Sequence, residues 1–276
     1  MAAKNKSKTL IGPLFLIAFG AVFLILLASY VRTSTTNTSS QAADYNPQIN
    51  PADFSANITN PYNTWPVGLE LNYKCITPEC TETMVVNVTN KTRKIMGVVT
   101  RKIRDRVYDD GELVEDTRDY VAQHRNGDVW YFGEIVDNYE NGQVVNHNGS
   151  WMAGVNGGKP GIWFKANPKK GEQYRQEYLK GIAEDWAKIL SIKANVNVPF
   201  KNFRNNDCVK TLEWPGTDPS AKEQKFNCPN VLGSIGVFVK EIELDSGNET
   251  ELVSVQTKSD KGADSDTMDT FVPIAP

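Results

Sequence analysis

Three dipeptides, Asp110-Gly111, Asn126-Gly127 and Asn141-Gly142, constrain this chain most. Both residues of a tight hairpin turn need positive φ, and Asp-Gly or Asn-Gly between β-type runs meets that need at little steric cost. They link four strands, approximately 97–109, 112–125, 128–139 and 143–152, and so predict a β-meander. Upstream, LELNYKC (69–75) and TETMVVNV (81–88) predict another hairpin, closed by Ile76-Thr77-Pro78-Glu79. Downstream, short strands are expected at 161–165, 173–178, 187–192, 196–200, 208–213 and 235–244. Ile182, Trp186 and Ile189 also fit helical spacing, so 182–190 reads equally as one short helix. Strands follow strands without a regular alternation with helices. The fold class is therefore mainly β: a curved antiparallel sheet or half-barrel-like meander with at most one short helix, or else a sandwich.

A second feature governs placement. The run from Leu10 to Ala28 carries no charge, and 19 residues of helix span roughly 28 Å, close to the thickness of a bilayer's hydrocarbon core. Lys4, Lys6 and Lys8 precede it, which predicts a single-pass cytoplasmic-membrane protein with its N-terminus inside and its C-terminal domain outside. A cleaved signal peptide is the competing reading, and it too exports the domain. The expected organisation is a cytoplasmic tip (1–8), a transmembrane helix (9–30), a polar stalk (31–60), a β-rich extracytoplasmic domain (61–245) and a partly disordered tail (246–276).

Export fits the cysteines and the sequons. Cys75, Cys80, Cys208 and Cys228 are an even set, and sequential pairing would staple two hairpins. Zinc is the alternative, but no C-x-x-C pair exists and the chain has two histidines. Asn37, Asn57, Asn87, Asn90, Asn148 and Asn248 each begin an N-x-S/T sequon. The net charge is −3; residues 1–32 carry +4, so the remainder carries −3 − 4 = −7. An acidic exterior without a basic groove argues against a nucleic-acid partner.

Two-residue turns would fix the register of the meander by arithmetic. Opposed residues would sum to 221, 253 and 283 across the three turns, which aligns Asp105, Asp116, Asp137 and Asn146 in one row. Like charges directly opposed are destabilising. Either a hard cation such as Ca²⁺ offsets them, or arginines do, with Arg118 a diagonal neighbour of Asp105 and Asp137. One β-bulge would dissolve the row. The opposite face would align Val121, Phe132 and Trp151, as core or as an apolar ligand groove. No G-x-S-x-G, H-E-x-x-H or P-loop motif occurs, and no catalytic residue is assigned.

The run VTRKIRDRVYDDGELVEDTRDYVAQHRNGDVWYFGE (99–134), followed by NYENGQVVNHNGSWMAGVNGGKPGIWF (138–164), GEQYRQEY (171–178), AEDWAKILSI (183–192) and VNVPFKNF (196–203), resembles a widespread, largely uncharacterised group of exported or membrane-anchored bacterial and archaeal β-rich proteins. The resemblance covers roughly 58–244. It departs at KFNCPNVLGSIGVF (225–238), where that group tends toward a Tyr-Ala-Pro-Gly-Val-Gly-like close. The VPxxxF-then-late-Gly layout is similar to half-barrels of lipoprotein-carrier type. The resemblance implies a fold and carries no activity. The expected function is a membrane-tethered, non-enzymatic binding or envelope-interaction domain for an apolar molecule or surface polymer. An exported hydrolase or Ca²⁺-binding protein using the acidic face, and a purely structural envelope module, are the alternatives.

Overall fold

The structure is a computed structural model and describes residues 45–258. The expected transmembrane helix, cytoplasmic tip and end of the tail lie outside these residues. Among the described residues, no helix is long and apolar enough to cross a membrane. Their helical content is one 3₁₀ turn, Pro51–Asp53, capped by the Asn50 side chain accepting from the Ala52 N–H. The ambiguity at 182–190 resolves as strand.

An N-terminal segment carries β1 (Phe54–Ser55), β2 (Thr59–Asn60) and β3 (Asn63–Thr64). The meander is β4 (Leu69–Cys75), β5 (Thr83–Ile95), β6 (Val98–Asp109), β7 (Glu112–His124), β8 (Val129–Glu140) and β9 (Gln143–Asn146). Short pieces follow: β10 (Trp151–Met152), β11 (Lys159–Phe164), β12 (Gln173–Arg175) and β13 (Glu177–Tyr178). The chain then runs through β14 (Asp185–Asn197), β15 (Asn202–Pro215), β16 (Glu223–Leu232), β17 (Ile235–Glu243) and β18 (Glu249–Thr257).

The turn chemistry acts as expected at two of the three dipeptides. Asp110 and Gly111 have φ of 49° and 84°, and Asn141 and Gly142 have 51° and 73°. A further turn of this kind, Met96-Gly97 with φ of 49° and 84°, joins β5 to β6. At Asn126-Gly127 the loop is longer, with the His124 N–H donating to the Asp128 carbonyl.

Sheet order is β12-β14-β15-β16-β17-β18-β4-β5-β6-β7-β8-β11-β13. The two ends of this path are consecutive pieces of chain separated by Gln176 alone. Gln173–Arg175 pairs with β14, while Glu177 and Tyr178 pair with β11. One segment thus serves both edges, and the sheet is a nearly closed antiparallel barrel rather than an open half-barrel. The seam is tight: a Cβ on Gly161 would lie 2.3 Å from the Gln176 carbonyl, so only glycine fits there.

Two domain boundaries shift. The expected tail contributes β18, an interior stave bonded to both β17 and β4. The stalk's second half, residues 45–60, packs on the barrel: Ile58 is buried, and the Tyr45 hydroxyl donates to the Pro160 carbonyl at 2.7 Å. Both disulfides form sequentially, Cys75–Cys80 and Cys208–Cys228, as the spacing suggests.

With β12 and β13 sharing one stave, the path makes twelve. Side chains just fill an eight-stranded barrel, so twelve staves leave space to occupy. Apolar residues fill part of it, with Leu69, Leu71 and Tyr73 alternating inward along β4. Burying each such leucine stabilises by ~1.5–3 kcal/mol. Asn63 and Trp65 from the N-terminal segment are also buried, and the Trp65 indole donates to Asn63 Oδ1 at 2.9 Å. The remaining interior is polar, and there lies the candidate site.

Candidate functional site

The predicted acidic row does not form. Asp116 and Asp137 are directly opposed, as the turn arithmetic gave. A bulge between Val107 and Tyr108 then sets Asp105 against Thr117, and another beside Asn138 sets Asn146 against Asn138. Each bulge turns one member onto the other face. Asp116 and Asp137 stay on the outer face, where Arg104 grips Asp116 with two hydrogen bonds of 2.9 and 2.6 Å. Arg118 reaches Asp137 at 2.7 Å, and His147 Nδ1 lies 2.8 Å from its other oxygen. Arg104 and Arg118 supply counter-charge on this face. No group of three or more His, Cys, Asp or Glu among the described residues is arranged to hold a metal ion.

The apolar row is also rearranged. Phe132 is the extra residue of a bulge made possible by Gly133 (φ 146°), so Val121 faces Tyr131 instead. Phe132 packs against Phe54 of the N-terminal segment at 5.4 Å, while the Tyr131 ring meets Trp151 at 5.4 Å and Trp163 at 4.5 Å. Val121, Phe132 and Trp151 are all core residues. Among the sequons, Asn57 and Asn90 are exposed and Asn148 and Asn248 half-buried. Asn87 is 7% exposed, and its amide donates to Glu70 at 3.0 Å and accepts from Arg106 at 2.7 Å. That side chain has no freedom to carry a glycan in the folded protein. Asn37 lies outside the described residues.

The inner wall holds what the outer row was expected to hold. Asp105, Glu115 and Asp119 point inward from β6 and β7, Glu134 from β8 and Glu177 from β13, all buried. Glu115 accepts from Thr117 at 2.8 Å, and Asp119 accepts from the Tyr131 hydroxyl at 2.5 Å. Both oxygens of Asp105, Glu134 and Glu177 lack a hydrogen-bond partner on the protein. Burial, followed by mutual repulsion, holds Asp105, Glu134 and Glu177 well above the usual carboxylate range. Burial raises Asp119 to about 8 and Glu115 to about 7, each partly offset by its hydroxyl donor.

Toward the seam the wall opens into a partly open recess of about 480 Å³, a volume that takes in the solvent at its mouth. Glu177, Asp185, Glu213, Glu223 and Lys225 supply its charges, and Gln176, Asn63 and Asn227 its neutral polar groups. Tyr131, Trp163, Phe164 and Phe238 supply the aromatic surface. Asp185 and Glu223 are half-buried and line the recess. The Lys225 ammonium lies 2.6 Å from Glu223, 3.4 Å from Glu213 and 3.4 Å from Glu241. Burial alone would lower its pKa, but those carboxylates hold it well above the ordinary lysine value. Burial raises Asp185 to about 8, aided by Glu223 and opposed by Lys225.

None of the recess carboxylates was singled out from sequence. The available signal was the alternation Thr211-x-Glu213, Glu223-x-Lys225 and Glu241-x-Glu243 on neighbouring strands, which reads as a solvated face until closure turns it inward. No family model, curated protein or solved structure matches the chain.

Proposed function

We propose that this chain is a membrane-tethered, extracytoplasmic binding protein without catalytic activity. Its ligand is a small polar molecule, or the terminal unit of a surface polymer, taken into the recess beside the barrel seam. The observation that carries the reading is Glu177: a carboxyl 1% exposed, lining the recess, with neither oxygen satisfied by the protein. Burying a polar group without a partner costs on the order of 1–3 kcal/mol, and a bound molecule would offset it. Carboxylates in the lining disfavour the apolar ligand that a lipid-carrier layout suggests. Tethering rests on the uncharged run 10–28 and the lysines before it.

Native mass spectrometry of the full chain, extracted from its host's membranes in detergent, tests this reading. A co-purifying small molecule is expected, lost in Glu177→Gln. An adduct-free spectrum of the unaltered protein would overturn the reading. Turnover of the bound molecule would replace it with a hydrolase. Labelling of intact cells with an impermeant amine reagent should reach exposed lysines such as Lys180; failure to do so would remove the extracytoplasmic placement.

A further inference from the structure

We infer that the recess takes an organic cation, an amine or quaternary ammonium, whose positive centre lies against Glu177 and Asp185. This rests on the reading of the recess as a ligand site, and it specifies the class of ligand.

The lining carries four carboxyl groups and one ammonium. Lys225 already shows how this interior accommodates a positive nitrogen, with carboxylates of three neighbouring strands gathered around it. That arrangement engages Glu213 and Glu223. Glu177 is left with neither oxygen partnered, and Asp185, Glu134 and Asp119 all repel its charge. On Asp185, Glu223 and Glu213 repel, while Lys225 and Arg175 attract. The Trp151 indole faces Glu177 but reaches no hydrogen-bond geometry with it. An added cation is what this set of groups lacks.

The shape of the deficit separates an organic cation from a metal ion and from a neutral ligand. A bare divalent ion needs several donors converging at 2.0–2.6 Å, and no such group of side chains exists among the described residues. Acceptors spread around a recess of this size suit a charge carried on a carbon frame. The aromatic residues Tyr131, Trp163, Phe164 and Phe238 suit the same ligand, because a ring face attracts an alkylammonium. A neutral polyol could accept and donate hydrogen bonds there, yet it would leave Glu177 and Asp185 without a counter-charge for their ionised forms. Burial shifts both carboxyls toward the protonated form when no cation is present. Cation entry therefore releases protons.

The test compares putrescine with 1,4-butanediol, which has the same frame without charge, by calorimetric titration of the full chain in detergent. Putrescine is expected to bind saturably, with the diol at least about 100-fold weaker. Affinity should tighten by about tenfold per pH unit between roughly pH 6 and 8 for each carboxyl that ionises on binding, with one proton released into buffer for each. Glu177→Gln, an uncharged isostere, should weaken putrescine at least about tenfold while moving the melting temperature little; Asp185→Asn should act in the same direction. Equal affinity for both probes, or no effect of either variant, would overturn the inference and leave the binding reading intact. If neither probe binds, the native spectrum decides: a cationic adduct supports the inference, a neutral or anionic one overturns it, and an empty protein overturns both readings.

Discussion

Two carboxylate-rich surfaces lie back to back on β6, β7 and β8, and they are balanced in opposite ways. On the outside, Asp116 and Asp137 alternate with Arg104 and Arg118, with His147 at the end. On the inside, Asp105, Glu115, Asp119 and Glu134 meet a hydroxyl at most, and repulsion from one another. The residue types are the same, and period-2 alternation, reset by the bulges, decides which side each joins. Outside, water and guanidinium groups make the charge inexpensive. Inside, burial pushes the same groups toward the protonated form or, near the seam, they share Lys225. A barrel of twelve staves brings this about, because its bore is too wide for apolar side chains to fill.

The sharpest way to break the inner balance is Lys225→Met. Removing one partner of a buried ionic cluster typically costs about 3–5 kcal/mol, because the remaining charges are left uncompensated. Glu213, Glu223 and Glu241 would face one another without their ammonium. Denaturant unfolding at pH 8 should show this loss, and it should shrink at pH 5, where the carboxyls can take up protons instead. An equal loss at both pH values would mean that Lys225 contributes by packing and not by charge.

Next in size is the staple beside it. Cys208 and Cys228, both buried and 20 residues apart, join β15 to β16 just beyond the Val209–Asn227 pair, below the acidic belt. Closing a loop of that length constrains the unfolded chain by about 3 kcal/mol. The double variant Cys208→Ala/Cys228→Ala should therefore lower unfolding free energy by about that amount. Loss of Cys75–Cys80, five residues apart, should cost less. If the short loop cost more than the long one, native packing around β4 would outweigh loop closure.

Titration distinguishes the two faces directly. Glu82 and Glu115 are raised to about 7, and Asp119 and Asp185 to about 8, in each case chiefly by burial. Unfolded carboxyls titrate near 4. Between those limits the folded protein holds more protons than the unfolded chain, so stability is full below about pH 4 and declines as pH rises through about 8. The melting temperature is expected to fall steadily from pH 5 to pH 9, opposite to the usual gain of a protein whose acids are salt-bridged. Asp119→Asn should flatten part of that slope. A melting temperature that rose over this range would place the inner carboxyls in contact with water.

How much of this could be read in advance follows from the bulges. Asp110-Gly111 and Asn141-Gly142 gave the hairpins and the sense of the meander correctly, because positive φ at both residues is a local requirement. The opposition of Asp116 and Asp137 was also legible, though by compensation: the longer loop at Asn126-Gly127 shifts register by one, and the bulge at Phe132 shifts it back. Asp105 and Asn146 were misplaced because a bulge at Val114 or Val145 depends on how the whole sheet coils, which no dipeptide encodes. The recess was least accessible of all. Its charged members come from β13 to β16 and meet the aromatic wall of β8 and β11 only because the segment 173–178 closes the ring, with Gly161 allowing the approach. Gly161 opens the strand expected at 161–165, and the reason it must be glycine is a contact 15 residues away.

The smallest expected effect belongs to the outer face. Asp137 is partly solvated, and the pair it makes with Arg118 adds only what an accessible ion pair usually gives, about 0.2–1 kcal/mol. Asp137→Asn keeps the shape and one acceptor, so unfolding should shift by less than about 1 kcal/mol. The shift should shrink further in 1 M salt, where screening acts within about 3 Å. Calcium gives an independent check on the same surface. With Arg104 and Arg118 holding Asp116 and Asp137, and with Asp105 and Asn146 turned to the other face, melting in Ca²⁺ and in EDTA should coincide. A clear calcium-dependent rise would mean that the arginines yield their carboxylates to an ion, and that the outer face, rather than the recess, is where this barrel binds charge.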